Sequence, residues 1–163
     1  MSEQTSVLFV CLGNIVRSPL AEHLFIQRAS DAGLADAFVV DSAGTAGYHI
    51  GDSPDQRMRQ VAAEKGLIYD GSARQFSASD FDDFDWIIAM DRSNRENILR
   101  LARDDADRAK VHLMRKFDPE ASPDAPVPDP YYGGIDGFYQ VYEILERATQ
   151  GLLTHICPDD RAA

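Results

Sequence analysis

The stretch VLFVCLGNIVRSPLAE, residues 7–22, joins a short apolar run to a polar loop and then to an amphipathic pattern. Residues 7–10 predict a buried strand, and the apolar spacing from residue 19 onward predicts a helix. Where a chain passes from a strand into a helix, the N–H groups of the connecting loop can converge on an anion, and the helix dipole adds positive potential there. The stretch therefore predicts a strand, an anion-binding loop and a helix in that order.

Cys11 and Arg17 stand at the two ends of this loop, with five residues between them. A guanidinium group matches two oxygens of a tetrahedral oxyanion, and the same positive field favours the thiolate form of Cys11 over the thiol. The pair therefore predicts a site that holds a phosphate group against a nucleophile. The alternative interpretation is a buried structural cysteine, followed by an ordinary strand-to-helix turn with an arginine at the surface.

The other residues of the stretch fit a tight loop that leads into a helix. Gly13 is expected to take the positive φ that such a loop demands, and Asn14 tolerates the same region while its amide can fix the loop through hydrogen bonds. Ser18 is expected to cap the helix. Pro19 would then occupy the first helical position, where its missing N–H costs nothing.

Apolar runs alternate with helical patterns along the rest of the chain, which is typical of an α/β protein with a parallel sheet. The apolar runs cover residues 7–10, 38–40, 86–89 and 111–114. The predicted helices cover residues 19–32, residues 54–65, a segment after residue 89 capped by Ser93 or Asp91, and residues 136–156. The side chains expected to face the core from these helices are Leu20, Ala21, Leu24, Phe25, Ala29, Ile98, Leu101, Ala102, Ile135, Phe138, Tyr142, Leu145, Leu152 and Ile156.

Residues 118–134 form the longest irregular stretch, and they include five prolines. Prolines restrict the backbone and keep it out of a sheet, so this stretch is expected to be a functional loop. In a doubly wound sheet, ligands bind beyond the carboxyl ends of the strands, at the point where the strand order reverses. The loop that begins at Cys11 follows the first strand and is therefore expected in that crevice.

The composition restricts the class of protein. A chain of 163 residues is expected to fold as a single domain over residues 1–163. The net charge of −11 argues against general affinity for nucleic acid or an anionic membrane. No apolar stretch is long enough to span a bilayer, and the first residues lack a signal-peptide pattern, so a cytoplasmic location is expected. Cys11 and Cys157 match no metal or redox spacing, and we expect no disulfide, metal ion or cofactor.

Four motifs carry a resemblance to a known family: residues 7–22, DSAGT at 41–45, ARQ at 73–75 and DPYYGG at 129–134. In their order and approximate spacing they resemble the low-molecular-weight protein tyrosine phosphatases, and the resemblance covers nearly the whole chain. It implies a flavodoxin-like, doubly wound sheet of four parallel strands in the order 2-1-3-4, with helices on both faces. It also implies a cysteine-dependent phosphomonoesterase that acts on phosphotyrosine.

Hydrolysis of an aryl phosphate requires a nucleophile, stabilisation of charge on three oxygens, and a proton for the leaving oxygen. Cys11 is the expected nucleophile, and its attack on phosphorus would give a phosphocysteine that water then hydrolyses. Arg17 and the loop N–H groups are expected to stabilise the oxygens, and the hydroxyl of Ser18 could donate to the sulfur. The resemblance assigns the general acid to Asp129, whereas an Asp-Pro pair taken alone indicates a turn.

Other residues are expected to bind the substrate or to support the loop. Tyr131 and Tyr132 are expected to stack on the substrate ring, with Tyr48 on the opposite wall, in a crevice too deep for phosphoserine to reach the cysteine. Ser42 matches a family position that holds the loop by hydrogen bonding. Asp91 is a further supporting candidate, and its alternative role is to end a strand. The residues expected to bind phosphate or substrate are Leu12, Gly13, Asn14, Ile15, Val16, Ser18, Tyr48, Tyr131 and Tyr132.

The expected partners are a phosphotyrosine-containing protein as substrate and a phosphate or other oxyanion in the loop, and the protein is expected to be a monomer. Two positions depart from the family pattern. Many relatives have a second cysteine where this chain has Val16, so we predict that peroxide oxidises Cys11 past sulfenic acid. Relatives also often have a histidine near the position of Gly71. The histidines of this chain show no ligand spacing and are expected to be surface or packing residues: His23, His49, His112 and His155.

Two other functions fit parts of the pattern. A thiol-coupled arsenate reductase binds its oxyanion in the same kind of loop, but it usually needs further cysteines, and Cys157 is far from Cys11 in sequence. A noncatalytic module of flavodoxin type, which binds phosphate or flavin, is the second alternative. The cysteine, the arginine and the candidate acid argue against it.

Overall fold

The structure, a computed structural model, describes residues 4–157. Four parallel strands form its central sheet: β1 (Thr5–Cys11), β2 (Phe38–Gly44), β3 (Trp86–Ala89) and β4 (Val111–Leu113). Their order is β2-β1-β3-β4, as the resemblance implied. Because β1 pairs with both β2 and β3, its carboxyl end lies where the strand order reverses. Cys11, the last residue of β1, therefore lies at the crevice expected to bind ligands.

Helices cover both faces of the sheet, as expected. The α-helices in residues 4–157 are α1 (Arg17–Asp31), α2 (Gln56–Glu64), α3 (Asp80–Asp83), α4 (Arg92–Leu99), α5 (Asp105–Ala109) and α6 (Ile135–Ile156). Successive residues of β1 point to opposite faces. Val7 and Phe9 pack with α1 and α6, whereas Leu8 and Val10 pack with α3 and α4. No helix within the described part of the chain has both the length and the apolar composition needed to cross a membrane.

The first helix buries its predicted stripe, but it begins earlier than predicted. α1 starts at Arg17, with Val16 in the capping position and no side-chain cap. The prediction that Ser18 caps the helix is wrong, because its buried hydroxyl contacts Cys11 and Asn14 instead. The buried stripe consists of Leu20, Ala21, Leu24, Phe25 and Ala29.

The loop between β1 and α1 uses its glycine differently from the prediction. Asn14, with φ of 58°, is the residue in the left-handed region, and the prediction of a positive φ for Gly13 is wrong. Gly13 instead makes room for the side chain of His49. A Cβ there would lie 2.9 Å from Cδ2 of His49, a distance that real Cβ atoms essentially never show.

Two side chains predicted to face the core are exposed. Leu101 lies beyond the end of α4, and Ile135 is the first residue of α6. The cap of α4 is Asp91, not Ser93, because the carboxylate of Asp91 accepts a hydrogen bond from N of Asn94 at 2.8 Å.

The last helix runs from one end of the sheet to the other. Near its start, a Cβ on Gly137 would lie 3.2 Å from Cβ of Pro130. Near its end, the ring centroid of His155 is 5.6 Å from that of Trp86, the first residue of β3. The start of α6 therefore lies beside residues 118–134, hereafter the Asp129 loop. Its end, followed by Cys157, lies at the amino ends of the strands.

Candidate active site

A pocket at the carboxyl end of β1 brings together most of the residues that the sequence singled out. Its lining comes from the segment 11–17, hereafter the Cys11 loop, from residues 48–49, and from the Asp129 loop. The predicted residues that line it are Cys11, Leu12, Gly13, Ile15, Val16, Arg17, Tyr48, Asp129, Tyr131 and Tyr132. Asn14, Ser18, Ser42 and Asp91 are outside this lining and contact its residues or one another by hydrogen bonds.

The sulfur of Cys11 is buried beside a hydroxyl group. Sγ of Cys11 lies 3.0 Å from Oγ of Ser18, and Nδ2 of Asn14 donates to that same Oγ at 2.8 Å. Since Ser18 accepts from Asn14, its own hydrogen is available to an acceptor. The sulfur is closer than the other acceptor in reach, the carbonyl oxygen of Ala43 at 3.4 Å. This arrangement fits a hydrogen bond from Ser18 to a thiolate on Cys11.

Asn14 fixes the Cys11 loop to two neighbouring segments. Its Nδ2 also donates to Oγ of Ser42 on β2, at 3.0 Å. Its Oδ1 accepts a hydrogen bond from the backbone N–H of Arg74, also at 3.0 Å. Both ends of this buried amide are therefore paired, as buried polar groups require. Together with the left-handed backbone at Asn14, these contacts hold the curvature of the loop.

Glu22, on α1, ends the same chain of hydrogen bonds. Oγ of Ser42 donates to Oε1 of Glu22 at 2.6 Å. Burial raises the pKa of Glu22, while the hydrogen bond from Ser42 and the nearby His23 act in the opposite direction. Glu22 and Ser42 border a second cavity with Gly71, near whose position relatives often have a histidine. The sequence did not reveal this role, because nothing near Glu22 in the chain indicates a partner on β2.

Arg17 is buried, and its guanidinium is anchored at one end. Nη1 donates to Oδ2 of Asp91 at 2.7 Å and to the carbonyl oxygen of Val127 at 3.0 Å. The other carboxylate oxygen of Asp91 caps α4, so this side chain is itself held in place. Nη2 of Arg17 lies 3.6 Å from Oδ2 of Asp129. The arginine therefore touches both the Cys11 loop, of which it is part, and the Asp129 loop.

Asp129 and the tyrosines form the outer part of the pocket. The side chain of Asp129 is partly exposed, and its Oδ1 accepts a hydrogen bond from N of Tyr131 at 3.1 Å. Tyr131 is half-buried under the guanidinium of Arg57, which lies 5.4 Å from its ring centroid. Tyr132 and Tyr48 are largely exposed and border the same opening. An aromatic substrate can therefore meet aromatic side chains on its way to the sulfur.

His49 is a pocket residue that the sequence analysis missed. Its ring packs against Gly13, its Nδ1 lies 3.1 Å from Oδ2 of Asp52, and its ring centroid is 6.2 Å from that of Tyr131. The ring thus forms a wall between the Cys11 loop and the Asp129 loop. The only signal in the sequence was the glycine that makes room for it, and a glycine alone does not name its neighbour.

The two cysteines lie at opposite ends of the sheet, which bears on the arsenate reductase alternative. Cys11 ends β1, and Cys157 follows the helix whose end packs near the start of β3. A relay of sulfur atoms within one chain would need them adjacent. Within residues 4–157, no group of three or more His, Cys, Asp or Glu side chains is arranged to hold a metal ion.

The fold and the site together define a class of α/β proteins that bind an oxyanion beside a thiol. In this class, a cysteine and an arginine lie in the loop after the first strand of a parallel sheet, at the point where the strand order reverses. Comparisons with known proteins agree with this class. The sequence model of the family described as low molecular weight phosphotyrosine protein phosphatase matches residues 6–162.

Similar proteins match over almost their full length. The low molecular weight protein-tyrosine-phosphatase of Streptomyces coelicolor is 47% identical over 151 residues, which is 92% of each chain. The human low molecular weight phosphotyrosine protein phosphatase is 39% identical over 94% of this chain and 98% of its own. The crystal structure of a protein tyrosine phosphatase from Entamoeba histolytica, with Hepes in the active site, superposes with a TM-score of 0.89 at 39% identity, covering 94% of this chain and 97% of that one.

This chain therefore belongs to the low molecular weight phosphotyrosine protein phosphatase family, a family of phosphoric monoester hydrolases. The fold and the family that the sequence motifs implied are confirmed.

Proposed function

We propose that this protein hydrolyses phosphotyrosine in protein substrates through a phosphocysteine intermediate, with Cys11 as nucleophile, Arg17 as phosphate ligand and Asp129 as general acid. The observation that carries the proposal is the convergence of these three residues on one pocket with aromatic sides. The family membership supports the same reaction.

In the first step, the thiolate of Cys11 attacks phosphorus, an S–P bond forms and the P–O bond to the tyrosine breaks. The N–H groups of the Cys11 loop and the guanidinium of Arg17 stabilise the charge on the phosphoryl oxygens. Arg17 is suited to this because Nη1 is already fixed by Asp91 and Val127, so little orientational freedom is lost when the phosphate binds. Asp129 donates a proton to the leaving phenolate, whose free pKa is about 10.

In the second step, water attacks the phosphocysteine, the S–P bond breaks and inorganic phosphate leaves. The carboxylate of Asp129 takes a proton from the attacking water, since it gave up its own proton in the first step. The sulfur leaves as a thiolate, and a hydrogen bond from Ser18, 3.0 Å away, stabilises it. The same hydroxyl thereby serves the resting enzyme and the departing sulfur.

The substrate is phosphotyrosine rather than phosphoserine, because the sulfur is buried and the opening of the pocket is bordered by Tyr48 and Tyr132, an arrangement that suits a long aromatic side chain. The pocket is complete within one chain, which supports action as a monomer. A thiol nucleophile persists in a reducing compartment, which supports a cytoplasmic location. The packed faces of one sheet support a single domain over residues 1–163.

The test compares two phosphopeptides of identical sequence, one with phosphotyrosine and one with phosphoserine, on the wild-type protein and on Cys11→Ser. We expect phosphate release only from the phosphotyrosine peptide, with the wild-type protein and not with Cys11→Ser. Ser18→Ala is the matched variant, because it removes a neighbouring hydroxyl and retains the nucleophile, and it should keep measurable turnover. Equal release from both peptides would overturn the assigned substrate, and full activity of Cys11→Ser would overturn the nucleophile.

A further inference from the structure

Asp118, at the start of the Asp129 loop, is a buried carboxylate that the reaction described above does not use. Its side chain has no exposed surface. It accepts hydrogen bonds from N of Glu120 at 2.9 Å, from Nε of Arg115 at 3.1 Å and from Nε of Arg147 at 3.3 Å. A buried charge is tolerated only when it is paired and hydrogen-bonded in this way. The two arginines come from different elements, since Arg147 belongs to α6 and Arg115 to the turn after β4.

Arg115 has a second contact that ties the loop to itself. While its Nε binds Asp118, its Nη1 donates to the carbonyl oxygen of Pro126 at 3.2 Å. One guanidinium therefore holds two points that are eight residues apart in the Asp129 loop. Because the plane of a guanidinium is rigid, the position of Pro126 is set relative to Asp118.

The next residue is held from the other side. N of Val127 donates to the carbonyl oxygen of Met90, beyond the end of β3, at 2.8 Å, and its carbonyl oxygen accepts from Nη1 of Arg17 at 3.0 Å. Arg115 and the carbonyl oxygen of Met90 thus hold the two ends of one peptide group, the one between Pro126 and Val127, and Arg17 holds the next carbonyl.

Few backbone rotations separate these fixed points from Asp129. Proline stands at positions 126, 128 and 130, so φ is locked on both sides of Asp129, and a residue before a proline is confined to extended conformations. The carboxylate is held further by N of Tyr131. Without Arg115, the peptide group between Pro126 and Val127 would keep only the hydrogen bond of its N–H to Met90. A tilt of this peptide group would be transmitted through the stiff segment to Asp129, and the carboxylate would lose its place beside the leaving oxygen.

We propose that Asp118 and Arg115 are positioning residues for Asp129, because the guanidinium that pairs with Asp118 also binds the carbonyl of Pro126. This inference rests on the proposed role of Asp129 as general acid. Arg17 keeps its ion pair with Asp91 when Arg115 is lost, so we expect the binding of phosphate to change far less than proton donation to the leaving group.

The test is Arg115→Met, which keeps an apolar stem and removes the guanidinium. Asp118 keeps Arg147 and the N–H of Glu120 in this variant, so its buried charge stays paired and the fold is retained. The measured quantity is kcat/KM for a series of aryl phosphates that runs from dinitrophenyl phosphate to phenyl phosphate. This parameter includes the step in which the leaving group departs, and a poorly placed acid slows it most for the most basic leaving groups.

We expect Arg115→Met to lower kcat/KM for phenyl phosphate by about 10- to 100-fold, since small misplacements of reacting groups have effects of this size. For dinitrophenyl phosphate we expect less than about a 3-fold loss, since its leaving group needs little protonation. Asp118→Asn should steepen the dependence on the leaving group in the same way. The matched control is Arg92→Met, which removes an exposed ion pair with Asp124 on the same loop and should keep the wild-type dependence.

The double variant Arg115→Met with Asp129→Asn distinguishes positioning from a general loss of structure. If Arg115 acts through Asp129, the double variant is no slower than Asp129→Asn alone. Equal losses of Arg115→Met on all substrates, or a double variant whose loss is the product of both single losses, would overturn the inference. If Asp129→Asn itself leaves the dependence on the leaving group unchanged, the proposed general acid is wrong. This outcome is measured on Asp129→Asn alone, so it can be told apart from a failure of the prediction for Arg115→Met.

Discussion

The Cys11 loop and the Asp129 loop meet in one pocket but are held by different forces. The Cys11 loop directly follows a strand, and its shape depends on hydrogen bonds among buried neutral side chains, chiefly those of Asn14 and Ser18. The Asp129 loop depends on prolines and on arginines from other elements that bind its carboxylates and carbonyl groups. The comparison shows that the groups expected to bind phosphate come from one contiguous segment, whereas the groups that place the acid come from several parts of the fold.

The largest expected effect on catalysis follows removal of the general acid in the Asp129 loop. Asp129→Asn is expected to lower kcat/KM for phenyl phosphate by about 10²- to 10⁴-fold, because a positioned general acid contributes this much when the leaving group is basic. The loss should shrink as the leaving group becomes more acidic. Steady-state kinetics across a series of aryl phosphates measures it, and a loss independent of the leaving group would remove the distinction between the loops.

The matching change in the Cys11 loop is Arg17→Lys. A lysine keeps the charge but cannot bind two phosphate oxygens and two protein acceptors in one plane, so we expect kcat/KM to fall by about 10²- to 10³-fold. The same kinetic series should show an equal loss for all leaving groups, since Arg17 stabilises the phosphoryl oxygens and not the leaving oxygen. Arg57→Lys is a control for arginine replacement near the pocket. A loss that grows with the basicity of the leaving group would contradict this division.

Oxidation should affect the Cys11 loop without involving the Asp129 loop. Because Val16 stands where relatives often have a second cysteine, brief peroxide treatment is expected to inactivate the enzyme in a way that added thiol does not reverse. Val16→Cys should regain activity after thiol treatment, because a neighbouring thiol can trap the sulfenic acid as a disulfide. Activity assays before and after thiol addition test this prediction, and full recovery of activity by the wild-type protein would contradict it.

The stability of the Cys11 loop should depend on both properties of Asn14. Asn14→Gly removes the amide and leaves the N–H of Arg74 without its acceptor, which is expected to lower the free energy of unfolding by about 1–3 kcal/mol. Asn14→Ala should lose about 1 kcal/mol more, because a Cβ disfavours the left-handed backbone at this position. Urea denaturation of both variants measures the difference. Equal stability of the two would show that φ at this position carries no strain.

The smallest expected effect is a difference in pH dependence between the two supporting carboxylates. Burial raises the pKa of Glu22 above its ordinary 4.5, so its contribution to stability is present below that pH and is lost as pH rises through the folded-state pKa. Burial acts to raise the pKa of Asp118, but the N–H of Glu120 and the guanidinium of Arg147 together lower it below its ordinary 3.8. The contribution of Asp118 is therefore present above that pH and is lost as pH falls further.

Glu22→Gln and Asp118→Asn should accordingly differ from wild type in opposite ways. Relative to wild type, Glu22→Gln should gain free energy of unfolding as pH rises above 4.5. Asp118→Asn should have a lower free energy of unfolding than wild type, and this difference should become smaller only as pH falls below 3.8. Urea denaturation at a series of pH values measures both. Parallel curves for the two variants would contradict the opposite pKa shifts.

The sequence predicted the fold and the Cys11 loop well because both are encoded locally. Alternation of apolar runs gave the α/β class, and the motif around Cys11 indicated the crevice. The roles of Gly13 and Ser18 were not predictable from the sequence. Gly13 makes room for His49, and Ser18 contacts the sulfur of Cys11, and these neighbours come close only in the folded chain. The short helices α3 and α5 were missed, since four or five residues are too few to show helical periodicity.

The Asp129 loop was far less predictable. Its prolines marked it as a stiff loop, and only the resemblance selected Asp129 among 27 acidic residues. Arg17 and Arg147, which hold it, are distant in the chain, and Arg115, three residues before Asp118, binds the carbonyl of Pro126 eleven residues away. A pairing that depends on tertiary contacts leaves no local signal in the sequence.

The most direct test of the central claim is to stop the reaction of the wild-type protein with dinitrophenyl phosphate, whose leaving group needs little protonation, within the first turnovers and to locate bound phosphate by peptide mass spectrometry. The mechanism predicts a covalent phosphate on the peptide that contains Cys11, at a higher level in Asp129→Asn, in which the carboxylate that deprotonates the attacking water is absent. Turnover with phosphate on no residue, or on any residue other than Cys11, would contradict it.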